Sequence, residues 1–70
     1  MDQDELKLRF TYHPPKEGQP ARYELIRFMA LGLARSIVAS TPESREQSLA
    51  ITALEEAVMW SNAAIARREA

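Results

Sequence analysis

"STPES", residues 40–44, decides the fold. It interrupts two long stretches that each repeat apolar residues at helical spacing. Upstream, Ile26, Ala30, Leu33 and Ile37 form one stripe. Leu25, Phe28, Met29 and Leu31 widen it until only Glu24, Arg27 and Arg35 mark a narrow wet side. A helix apolar over most of its girth is buried on more than one side. Inside the break, Thr41 suits a helix cap, Pro42 a first helical position, and Glu43 the positive end of a helix dipole. Downstream, Leu49, Ala53, Leu54, Ala57, Val58, Trp60, Ala64 and Ile65 continue the apolar pattern. The spacing predicts helices over 20–40 and 42–68, the second roughly 40 Å long. A connection this short makes neighbours antiparallel, so the expected fold is an all-α helical hairpin.

Working back toward the N-terminus, Gly18 permits a turn and Pro20 fits the first turn of the first helix. Before them lies "FTYHPPKEG", residues 10–18. Pro14 and Pro15 stiffen this stretch, and Pro14 biases His13 away from helical torsions. Leu6, Leu8, Phe10 and Tyr12 alternate with Lys7, Arg9, Thr11 and His13. That period of two predicts a short extended N-terminal arm with one face docked, preceded by a frayed end over residues 1–5. Residues 1–70 are then a single domain, with arm and loop over 1–19.

The 70-residue chain has 46% hydrophobic residues, enough to fold. Nine basic and ten acidic residues leave a net charge of -1, which argues against a DNA partner. Without cysteine there is no disulfide and no thiolate metal site. One histidine builds no zinc site, so no metal or cofactor is expected. No apolar run is long enough to span a membrane. Residues 1–5 are acidic and lack the pattern of a signal peptide, which leads to the expectation of a soluble intracellular protein.

Two helices do not enclose a core. Apolar groups outside the hairpin seam predict a homo-oligomer, and Ala50, Ala53, Ala57, Ala63 and Ala64 allow a close helix approach. Enzyme chemistry finds little support. Only His13 offers an imidazole, no glycine-rich phosphate loop exists, and the adjacent Glu55 and Glu56 point in different directions on a helix. Tyr12 reads either as an anchor packing the arm or as a stacking platform for a nucleobase. His13 is a polar loop residue or a ligand contact. Pro14 and Pro15 end the arm or hold the Tyr12 ring. Arg27 is solvated and paired with Glu24, or grips phosphate with its paired donors. Arg67 and Arg68 suit the dipole at a helix C-terminus.

"RFTYHPP" (9–15) together with "PESREQSLAITALEEAVMWSNAAIAR" (42–67) resembles a family of small phage proteins. These are the anti-CBASS cyclic-oligonucleotide sponges and the related hairpin domain of Thoeris anti-defence sponges. The resemblance implies an arm followed by a helical hairpin, assembled as a homohexamer in the host bacterial cytoplasm. It implies sequestration of cyclic dinucleotides, and of cyclic trinucleotides in a separate pocket, without cleavage. Tyr12 matches the family's base-stacking tyrosine. Arg27 stands where the family carries a phosphate-neutralising lysine, keeping the charge and changing the geometry. Lys16 would assist at the phosphates, with His13 and Pro14 beside Tyr12, and Arg67 and Arg68 are candidates for the second pocket. Thoeris-type relatives capture cyclic ADP-ribose isomers instead. A helical module binding a host protein is the rival reading.

Overall fold

The structure, a computed structural model, describes residues 1–69. Among these residues there are three helices and no strand: α1 (Gln3–Phe10), α2 (Gln19–Ser40) and α3 (Arg45–Arg68). The hairpin of α2 and α3 is the body of the molecule. Its extents are 45 × 30 × 13 Å. The smallest is close to one helix diameter, about 10–12 Å, so the protein is a single layer of helices.

The extended arm is corrected. Residues 3–10 are helical, and the end expected to fray is capped. Asp2 caps α1 through Oδ1, which accepts from the amides of Asp4 (2.6 Å) and Glu5 (3.4 Å). Asp4 and Glu5 sit in the first turn and Lys7 and Arg9 in the last, the arrangement that the helix dipole favours. Glu5 and Arg9 also pair one turn apart at 3.1 Å. Capping and charge placement therefore outweigh a short alternation of apolar residues. On the helix that alternation is scattered: Leu8 is half-buried while Phe10 is 82% exposed.

α2 begins after Gly18, whose φ of 81° lies in the left-handed region open to glycine. Pro20 sits in its first turn, where its missing N–H leaves no bond unmade. α2 ends at Thr41, which donates from both its N–H (3.1 Å) and its hydroxyl (2.6 Å) to the Ile37 carbonyl. Thr41 thus closes α2 rather than opening α3. The cap of α3 is Ser44, whose Oγ accepts from the Gln47 amide at 3.1 Å, so α3 starts at Arg45 and not at Pro42. The Gln47 side chain crosses the turn and donates to the carbonyls of Val38 (3.3 Å) and Thr41 (3.1 Å). Those carbonyls lie at the end of α2, where helices leave acceptors unmatched.

Tyr23, Ile26, Ala30, Ala34 and Ile37 of α2 face Ile51, Leu54, Val58, Asn62 and Ile65 of α3, all half-buried. Steps of three and four give a seam one residue wide on each helix. Leu33, expected in the stripe, is exposed, and Ala34 takes its place. The small side chain at position 34 suits a close crossing better than leucine. Among the described residues no hydrophobic one is fully buried, and Gln19, at 3% exposure, is the only buried residue. No helix among the described residues is long and apolar enough to cross a membrane.

Candidate functional site

The open end of the hairpin brings together the start of α2, the end of α3 and the whole of α1. Gln19 locks the two long helices. Its Nε2 donates to the Ile65 carbonyl (3.2 Å) and to Glu69 Oε1 (2.9 Å), while its Oε1 accepts from the Lys16 amide (2.8 Å). Arg22 grips Glu69 with two bonds of 2.6 Å. The Arg22 guanidinium, with help from Gln19, holds the Glu69 carboxyl down to about 2. Lys16 Nζ donates to the Glu69 carbonyl at 3.2 Å. Lys16 is therefore engaged at the end of α3.

α1 is held against α3 by charge. Arg68 donates to both oxygens of Glu5, at 2.9 and 2.5 Å. Arg68 and then Arg9 hold the Glu5 carboxyl at about 2. Arg67 Nη2 donates to the Arg9 carbonyl at 3.5 Å, against the negative end of α1.

The loop after α1 sets the position of Tyr12. The Thr11 hydroxyl donates to the Lys7 carbonyl, and His13 Nε2–H donates to the Leu8 carbonyl at 2.7 Å. A carbonyl only accepts, so this bond places the proton on Nε2 and leaves Nδ1 free as an acceptor in the neutral ring. With the residues on both sides tied back to α1, Tyr12 projects outward and is 81% exposed.

Tyr12 lines a cleft of about 350 Å³ together with His13, Tyr23 and Arg27 on one side and Asn62 and Arg67 on the other. Four of the residues singled out in the sequence, Tyr12, His13, Arg27 and Arg67, thus meet in one place. Arg9 lines it too, and among the described residues no carboxylate does. Arg27 keeps only a 3.9 Å contact with Glu24, both side chains well exposed, so its guanidinium is available. An adjoining cleft of about 520 Å³ is bounded by Phe10, Trp60 and Arg68 and shares Arg9 and Arg67 with the first. Pro14 and Lys16 line neither.

Arg9, Tyr23 and Asn62 were not singled out in the sequence. Tyr23 precedes Arg27 by one helical turn, so a site containing one contains the other. Asn62 is the polar member of an otherwise apolar run, Leu54, Val58 and Ile65. Its Oδ1 is buried and has no hydrogen-bond partner among the described residues. Chemically the cleft offers cations for an anion, an aromatic face for a planar ring, and an amide for hydrogen bonding.

A family model described as the Acb2/Tad1 hairpin domain matches residues 2–66. The chain belongs to the Acb2/Tad1 hairpin family. This family comprises the anti-CBASS and anti-Thoeris sponges for cyclic nucleotide signals. The match takes in α1, the Tyr12 loop, α2 and nearly all of α3. In this Acb2/Tad1 hairpin the cleft residues fall within the matched span except Arg67, which lies just past its end. Comparison with curated proteins and with solved structures returned no match.

Proposed function

We propose that this protein is a phage-encoded sponge that sequesters cyclic dinucleotides, blocking CBASS defence in the host bacterial cytoplasm. The observation that carries the reading is the meeting of exposed Tyr12 with Arg9, Arg27 and Arg67 in one carboxylate-free cleft of a family sponge hairpin. Tyr12 stacks on a base, and the arginines take the phosphates with paired donors. A net charge of -1 with local positive charge suits a small anion better than a long nucleic acid. Binding is reversible and leaves the ligand intact: in the cleft the Thr11 hydroxyl and the His13 Nε2–H are each given to a carbonyl of α1, so the two are not paired as nucleophile and base. The adjoining cleft with Arg67, Arg68, Phe10 and Trp60 is the proposed place for a larger cyclic trinucleotide.

The working form is a homohexamer. The isolated chain exposes 5735 Å². A compact folded monomer of its mass exposes roughly 4,400 Å². The radius of gyration is 15.3 Å. A compact 70-residue domain has about 11 Å. A one-layer hairpin with Phe28, Met29, Leu31 and Met59 in the open needs further copies to cover them.

Calorimetric titration with cyclic dinucleotides, cyclic trinucleotides and cyclic ADP-ribose isomers, with light scattering on the same sample, tests this reading. The expected result is cyclic dinucleotide binding by a particle of six chains, with intact ligand recovered on heating. A stable monomer, linearised product, or binding of ADP-ribose isomers alone refutes it.

A further inference from the structure

Asn62 occupies a seam position that folding alone would fill with an apolar residue. Leu54, Val58 and Ile65 hold the equivalent places on the same face of α3. A buried amide oxygen without a donor destabilises the state that contains it, by an amount an apolar replacement avoids. Asn62 Oδ1 is such an oxygen, yet the same side chain lines the cleft beside Tyr12, Tyr23 and Arg27. Among the described residues no group donates to it, and the cleft that its side chain lines is where an outside donor can reach it. The χ2 torsion of asparagine is broad, so the amide turns toward a ligand without backbone movement.

The arginines and tyrosines of the cleft read what all cyclic nucleotides share. Arginine recognises any phosphate, and a tyrosine ring stacks on any base. An amide is different, because its oxygen accepts and its nitrogen donates along one edge, the pattern that distinguishes bases. We propose that Asn62 is the specificity-determining residue of the cleft, its Oδ1 accepting a hydrogen bond from the exocyclic amino group of a bound cyclic purine dinucleotide. This inference rests on the sponge reading and deepens it by naming the ligand feature that is read. The free protein then holds an unsatisfied acceptor that the ligand relieves, so Asn62 lowers stability and raises selectivity together.

The test uses the full chain and its Asn62→Leu variant. The probes are cyclic di-AMP, cyclic di-GMP, and their counterparts built from purine riboside and inosine, which lack the exocyclic amine. For the parent, at least one amine-bearing ligand is expected to bind about tenfold tighter than its amine-free counterpart, within a range of about five- to 150-fold. Asn62→Leu is expected to lose that preference and to melt at a higher temperature without ligand. Equal binding of both ligand types by the parent overturns the inference and needs no variant. So does an Asn62→Leu variant that keeps the parent's preference, or one that loses assembly, which would make Asn62 an interface residue. If the parent binds no cyclic nucleotide at all, the sponge reading itself fails, a result distinct from binding without discrimination.

Discussion

The two ends of the hairpin are held by the same device and differ in everything else. At each end a glutamine side chain reaches carbonyls of the opposite helix: Gln47 to Val38 and Thr41 at the turn, Gln19 to Ile65 at the open end. The turn end needs little more, because four residues of chain already keep the helices together. At the open end the chain gives no such restraint, and charge supplies it: Arg22 with Glu69, Lys16 with the end of α3, and Arg68 with Glu5. That end alone carries α1, the Tyr12 loop and the arginine-lined cleft. The candidate site therefore sits where tertiary contacts, not connectivity, set the geometry. Side chains there are placed by interactions that a ligand can join.

Tyr12→Ala breaks the comparison most strongly. It removes a stacking face worth about 1–3 kcal/mol, so cyclic dinucleotide affinity should fall about five- to 150-fold. Gln47→Ala, at the far end, should leave affinity unchanged. Calorimetry on both variants decides whether binding belongs to the open end; equal effects would detach the cleft from the ligand.

Stability separates the two glutamines next. Gln19 is buried and makes its bonds away from water, so Gln19→Ala should cost about 2 kcal/mol. The exposed bonds of Gln47 should be worth about half as much, roughly 1 kcal/mol. Denaturant unfolding of both variants at one protein concentration measures the difference. Parity would mean that the open end is not the more dependent on its lock.

Arg27→Ala sharpens the electrostatic part. Affinity should drop roughly tenfold, and its decline with added salt should become shallower, since one charge-assisted contact is gone. An unchanged salt slope would leave the phosphates to Arg9 and Arg67.

The smallest expected effect is acid loosening of the open end. Glu5 and Glu69 are both lowered to about 2 from an ordinary value of 4.5. A carboxylate depressed in the folded state lends stability that is complete above its unfolded value and fades as pH falls through the folded one. The loss should run from about pH 4.5 down to about pH 2. Both groups are exposed, so solvent keeps the effect modest. Amide exchange should quicken at the end of α3 and in α1 before it does near Ser44. Glu69→Gln should blunt the change at the end of α3.

Much of this molecule was legible in its sequence. The long helices announce themselves by apolar spacing and by Gly18, Pro20 and the break at residues 40–44, all local signals that act through the backbone of the residue carrying them. Tyr12 and Arg27 were legible as residue types able to stack and to grip phosphate, and the "RFTYHPP" segment pointed to the family that the matched span shows. The N-terminal segment was misread because a period of two over a few residues is also compatible with a short capped helix. There the outcome turned on the Asp2 cap and on Arg68 reaching back from far along the chain. Which residues share a cleft was set by folding alone. Arg9, Arg27, Asn62 and Arg67 come from three helices, and no spacing along the chain encodes their meeting. The diversion of Lys16 to Glu69 and the unpartnered oxygen of Asn62 were likewise decided in three dimensions. Helix formation depends on neighbours within a turn, whereas a binding site depends on which distant side chains, once brought close, still lack a partner.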